Sequence, residues 1–187
     1  MSDTPEFLKD AKDLLTTQGF ATGDTWYHGT SSALADAIRQ EGLKRSGDKA
    51  MLEAARKTMA TIGSTYQDTV EPVFLTPSKA LAFYWAEQRV RERRMRFGEE
   101  EQPVVFTVTL PEALNARVKP DVGAASLLLL KEGENFMAHL AGIYQAHGLG
   151  IPEIDLMNAD RMAYLHTLGM AYLDADIDAA CLEVVTG

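Results

Sequence analysis

With one cysteine, Cys181, the 187-residue chain has no partner for an internal disulfide. A disulfide scaffold is therefore excluded, and a reducing compartment suits the protein. Cys181 itself reads as a small apolar residue of a terminal strand. Long apolar runs are missing too: the longest, Ala124 to Leu130, is about a third of the roughly 18–20 residues that span a bilayer. The first residues, Met1 to Glu6, are acidic and lack the basic-then-apolar order of a signal peptide. The expected setting is cytoplasmic, with no membrane partner.

Positive charge is also scarce. Eighteen Lys and Arg stand against 27 Asp and Glu, a formal net charge of -9. A field of that sign repels phosphate backbones, which weighs against nucleic acid as a partner. The one basic cluster, Arg89, Arg91, Arg93, Arg94 and Arg96, is interleaved with Glu87 and Glu92 and followed at once by Glu99, Glu100 and Glu101. It reads as the solvated end of a helix, where cations complement the macrodipole.

Several site chemistries drop out by spacing. The four histidines, His28, His139, His147 and His166, contain no pair four apart around a Glu, so a zinc-protease helix is excluded and no metal is expected. Asp174, Asp176 and Asp178 alternate like the start of an EF-hand loop, but Ala179 stands where that loop needs Gly and Val185 where it needs Glu. No phosphate-cradling loop with Lys-Ser/Thr and no Gly-x-Ser-x-Gly elbow occurs.

What is present fits one folded domain. Hydrophobic residues make up 46% and charged residues 24%, neither a disordered nor a fibrous composition. Phe7, Leu8, Ala11, Leu14 and Leu15 recur at helical intervals and predict a helix over Glu6 to Gln18. Asp24 to His28 predicts an aromatic strand running into Gly29 and hydroxyl residues. Ser31 or Ser32 then caps a helix that Gly42 closes. Lys44 to Glu71 reads as a surface excursion holding a helix from Lys49 to Thr61. Val73 to Thr76 is a strand, and Thr76-Pro77 opens a long helix that ends at Gly98. Pro103 to Leu110 is the clearest strand, Val118 adds a short extension, and Asp121 to Leu168 reads as two or three helices. Met170 to Leu173 and Cys181 to Val185 are further strands. With no repeat and no linker, the expectation is a single α+β domain over residues 1–187.

The order of three pieces carries a further reading. A strand ending Tyr27-His28-Gly29-Thr30-Ser31 is followed by a helix closed by Glu41-Gly42-Leu43. Then Val73-Phe74-Leu75-Thr76 leads into a helix bearing Tyr84 and Trp85. This order resembles the ADP-ribosyltransferase superfamily, in the branch with His followed by Gly on its first strand, as in the poly(ADP-ribose) polymerases and diphtheria-toxin-like enzymes. The similarity covers Trp26 to Leu110 and fades beyond. It implies a split β-sandwich of two small sheets with flanking helices and NAD, as substrate, in the cleft between them. By the same resemblance His28 would bind a ribose hydroxyl and Gly29 the nicotinamide carboxamide through its backbone, with no side chain in the way. Thr30 or Ser31 would add a hydroxyl contact.

The resemblance also implies an aromatic sandwich around the nicotinamide ring. Phe74 stands where Tyr is commoner, keeping the stacking face without the hydroxyl, and Tyr84 is its partner, with Phe83 or Trp85 in that place if the register moves by one. The catalytic carboxylate would be Glu183 on a late strand, with Asp174 and Asp176 as fallbacks. Breaking the bond to the nicotinamide leaving group passes through an oxocarbenium-like state that a carboxylate stabilises. The implied activity is that of an NAD-dependent mono-ADP-ribosyltransferase, acting on a protein acceptor among others, or of an NAD glycohydrolase. The alternative is an inactive module of the same fold that binds NAD, ADP-ribose or a protein partner. RNA 2'-phosphotransferases share the fold but need a basic cleft, which the charge opposes.

Overall fold

The computed structural model describes residues 5–65, 67 and 69–185. Met1 to Thr4 of the N-terminal reading, and Tyr66 and Asp68 of the surface excursion, lie outside the described residues. The first segment, Glu6–Leu14, winds as a 3-10 helix where the spacing predicts an α-helix to Gln18. It stops because strand β1 (Leu15–Thr16) turns back into β2 (Gly19–Phe20), burying Leu15 and Phe20 in the core. Tertiary burial wins there over a short helix with no side-chain cap.

Strand β3 (Thr25–Ser31) runs into α1 (Ser32–Glu41). Of the two candidate caps it is Ser31 whose Oγ accepts from Ala33 N, and Gly42, at φ 82°, donates its N–H to Ile38 O to close the helix. The excursion carries α2 (Lys49–Thr61), capped by Asp48 and without a buried residue. After β4 (Val73–Leu75) comes α3 (Lys79–Phe97). Its N-cap is Ser78, accepting from Leu81 N at 3.2 Å, two residues later than the Thr76 expected. Thr76 instead accepts from Ser78 N, and Pro77 stays in the turn.

Beyond α3 lie β5 (Pro103–Thr109), α4 (Glu112–Asn115) and β6 (Lys119–Pro120). The apolar run Ala124 to Leu130 falls on a 3-10 helix, Gly123–Leu129, with Leu130 as its C-cap. Helices α5 (Lys131–Ala146) and α6 (Arg161–Leu168) follow, then β7 (Ala171–Leu173) and β8 (Leu182–Val184). Cys181 sits in a 3-10 turn just before β8 instead of in the strand.

Among the described residues, six α-helices and three small antiparallel sheets, none closed, form a single α+β domain. β1 pairs with β2, the second sheet has the order β3-β5-β8, and the third β4-β7-β6. The second and third touch at one bridge, where Tyr27 N donates to Thr76 O at 2.8 Å and Thr76 N to Tyr27 O at 3.0 Å. β3 alternates in packing. Trp26 joins the core with Phe106 and Val108, while Tyr27 and Val105 meet Ala82 and Ala86 of α3. A second core gathers Phe136, Leu140, Leu168, Tyr84 and Phe20 beneath α3 and α5.

Gly29 belongs to the face that meets α3. A Cβ there would lie inside the contact shell of the Ala82 carbonyl oxygen and 2.8 Å from Ala86 N. Helix-on-strand packing by itself requires glycine here, alongside the ligand approach that the resemblance implies. Both obstructing atoms are backbone, so neither can rotate away. Gly29→Ala is expected to cost roughly 3 kcal/mol, the upper end for overpacking. Urea unfolding would show it as a lower midpoint at constant slope; an unchanged midpoint would mean that β3 and α3 part without penalty.

Candidate functional site

Past the Tyr27–Thr76 bridge β3 and β4 are no longer paired backbone to backbone, and two adjoining cavities with lining residues in common form the two lobes of a cleft there. The larger, about 500 Å³, is lined by Tyr27, His28 and Gly29 of β3, by Phe74 to Thr76, and by Trp85, Gln88, Arg89 and Glu92 of α3. Asp121, Gly123, Ala124, Leu127, Met170 and Ala171 complete its wall. The α3 contributors are spaced three, one and three apart, the mark of a single helical stripe. The smaller lobe, about 220 Å³, lies between α1 and the roots of the excursion. His28, Gly29, Phe74 and Arg89 line both lobes and form the waist between them.

His28 is fixed by its Nδ1, 2.8 Å from the carbonyl oxygen of Phe74. A carbonyl only accepts, so Nδ1 carries the proton and Nε2 is left as the acceptor of the neutral ring. Burial in the cleft wall holds the imidazole below its ordinary pKa. The Phe74 carbonyl works the other way, and the Arg89 guanidinium adds to the depression. The neutral tautomer is therefore favoured at neutral pH. Phe74, the middle residue of β4, turns its ring outward and is 45% exposed at the waist.

The other expected residues divide. Thr30 is buried on the wall of the smaller lobe. Ser31 is fully buried, and its hydroxyl is spent donating to Glu101 and capping α1. Tyr84 points away from the cleft: it stacks on His139, with ring centroids 4.9 Å apart, and burial raises its pKa. Trp85, one residue on, is the aromatic ring that α3 presents to the larger lobe, backed by Phe136 at 5.2 Å.

Glu183 lies on neither lobe. It is exposed on β8 opposite Thr107, while Leu182 and Val184 on either side pack toward the core. The fallbacks Asp174 and Asp176 are engaged by Arg45, at 3.2 Å and 3.6 Å. The carboxylates that do line the larger lobe are Glu92 and Asp121, neither singled out by the sequence. Asp121 is half-buried just past β6, where its Oδ1 accepts from Ala124 N at 3.1 Å. Desolvation raises its pKa against the pull of the Ala124 and Gly123 N–H groups. Its one legible sign was a lone carboxylate ahead of Gly123 and an apolar helical run.

Among the described residues no group of three or more His, Cys, Asp or Glu is placed to hold a metal ion. None of the described helices is long and apolar enough to cross a membrane. No family model, no curated protein and no solved structure matches the chain.

Proposed function

We propose that this cleft binds NAD and breaks its nicotinamide–ribose bond, as a mono-ADP-ribosyltransferase or an NAD glycohydrolase on an ADP-ribosyltransferase-like arrangement of the two larger sheets. The observation that carries the reading is the meeting of His28, Gly29 and Phe74 at the waist of a two-lobed cleft. An elongated ligand with two bulky ends suits such a shape. The larger lobe offers Phe74 and Trp85 as aromatic faces for a planar ring. Neutral His28 offers Nε2 as acceptor to a ribose hydroxyl.

In the reaction the C1'–N bond breaks and nicotinamide leaves with the electron pair as a neutral molecule. The cation left at C1' is captured by water or by an acceptor nucleophile, which then loses a proton. Asp121, a half-buried carboxylate of the larger lobe, would stabilise that cation and take the proton, a task its raised pKa favours. An inactive binding module is the second reading, favoured by the position of Glu183 away from the cleft.

The test is nicotinamide release from NAD by the purified protein beside His28→Ala. Release by wild type, reduced about 100-fold in the variant as for a lost positioning and hydrogen-bonding group, supports the enzyme. NAD binding by calorimetry without release moves the conclusion to the module, and neither binding nor release rejects both.

A further inference from the structure

The two lobes differ in charge, and one side chain bridges them. Arg89 is the only Lys or Arg among the described residues on the larger lobe, and it lines the smaller one as well. The other cations of the smaller lobe are Lys44, Arg45 and Lys49. Two of these are tied outward to the β7–β8 connection: Lys44 Nζ lies 3.8 Å from Asp176, and Arg45 contacts Asp174 and Asp176. The backbone N–H of Arg45 donates to Asp176 as well, at 2.9 Å.

Among the described residues, Arg89 is engaged only along its own helix. It pairs with Glu92, one turn along α3, at 3.2 Å, with side chains 34% and 54% exposed. Such an exposed pair is worth at most about 1 kcal/mol and exchanges readily for a better anion. A guanidinium is also suited to diphosphate, because its planar fork donates to two oxygens at once.

We propose that Arg89 is the diphosphate ligand of the cleft, holding the central linkage of a dinucleotide at the waist while its two ends occupy the two lobes. The inference rests on reading the cleft as an NAD site and adds the residue that selects diphosphate-linked ligands over nucleosides. Glu92 then acts as the counter-ion that Arg89 gives up on binding.

The experiment is calorimetry on the full chain with NAD, ADP-ribose and nicotinamide riboside, for wild type, Arg89→Gln, Arg89→Lys and Glu92→Gln. Arg89→Gln is expected to weaken NAD and ADP-ribose by about 10-fold or more, the worth of charge-assisted hydrogen bonds, while nicotinamide riboside stays within about twofold. Arg89→Lys, with charge but no fork, falls between, and Glu92→Gln tightens both diphosphates by about two- to fivefold. Inorganic pyrophosphate competes with NAD on wild type and not on Arg89→Gln if the diphosphate itself is what is held.

Unchanged NAD affinity in Arg89→Gln, or equal weakening of all three ligands, overturns the inference while leaving NAD binding intact. If Arg89→Gln fails to fold, Arg89→Lys decides: weakening confined to the two diphosphates supports the inference, and unchanged NAD affinity or equal losses for all three ligands overturn it. Wild type that binds none of the three overturns the NAD reading and this inference together.

Discussion

Replacing Asp121 with Asn is expected to lower nicotinamide release at saturating NAD by about 100-fold or more, while Glu183→Gln leaves it within about twofold. The contrast follows from where the two carboxylates sit. Asp121 is half-buried on the wall of the larger lobe, and Glu183 is exposed on β8 and lines neither lobe. A positive charge developing at C1' is stabilised most by a carboxylate in a water-poor site, because Coulomb energy scales inversely with dielectric. Asn keeps the shape and the Oδ1 that accepts from Ala124 N, so the turn into the 3-10 helix survives and the loss is one of charge alone.

That loss falls on kcat with little change in KM, since the cation exists only near the transition state. The pH profile supplies a second readout. On the proposed mechanism the ionised carboxylate is the active form, so kcat would decline as pH falls through the pKa of Asp121, which desolvation sets above the ordinary 3.8. Asp121→Asn would remove that limb, whereas Glu183→Gln would retain it. Loss of activity in Glu183→Gln with full activity in Asp121→Asn would sink the assignment.

The two carboxylates also show what a sequence can and cannot place. Glu183 does fall on a strand, as its apolar neighbours predict. Which sheet receives that strand is a long-range matter: β8 pairs with β5, away from β4. Period-two alternation then turns Glu183 outward, because Leu182 and Val184 are drawn to the core. Asp121 follows a two-residue strand that no periodicity can flag. His28, Gly29 and Phe74 do lie on strands that the sequence predicts, and the order of those strands, through the family it resembles, is what singled them out. Their meeting depends on long-range contacts, the Tyr27–Thr76 bridge and the hydrogen bond of His28 to Phe74 O.

Helical phase accounts for the exchange of Tyr84 for Trp85. Neighbours on an α-helix point about 100° apart, so a register uncertainty of one residue moves a ring from the cleft to the core beside His139 and Phe136. The arginine run misled differently. Arg91, Arg94 and Arg96 fit a solvated helix end, but Arg89 lines the cleft and Arg93 is 5% exposed. Local charge patterning cannot reveal a partner, Asp48, that lies 45 residues away.

Arg93 carries the largest expected effect on stability. Its Nε lies 2.7 Å from Glu101 and its Nη1 2.7 Å from both oxygens of Asp48. Glu101 also accepts from the buried Ser31 hydroxyl. Burial alone would raise the Glu101 pKa, but the hydrogen bonds from Arg93 and Ser31 outweigh it and leave the value lowered. Arg93→Ala would strand Glu101 and leave Asp48 poorly compensated, and is expected to cost about 3–5 kcal/mol. In a chain of this size that shifts Tm by roughly 10 °C. The triple variant Arg93→Met, Asp48→Asn, Glu101→Gln should recover much of the loss, because no buried charge then lacks a partner.

The sign with pH is fixed by the lowered Glu101 pKa. The Glu101 contribution is fully present above the unfolded carboxylate value of 4.5 and is lost as pH falls through the folded value below it. Wild type should therefore converge on Arg93→Ala as acid protonates Glu101, and stability curves that stay parallel through the acid limb would reject the network as the source. The network also reaches the site, since Asp48 caps α2 and lines the smaller lobe while Ser31 caps α1. Arg93→Ala should consequently speed amide exchange in Lys44 to Lys49 before the β3–β5 pair. A ligand that needs the smaller lobe would then bind more weakly, although Arg93 lines neither lobe.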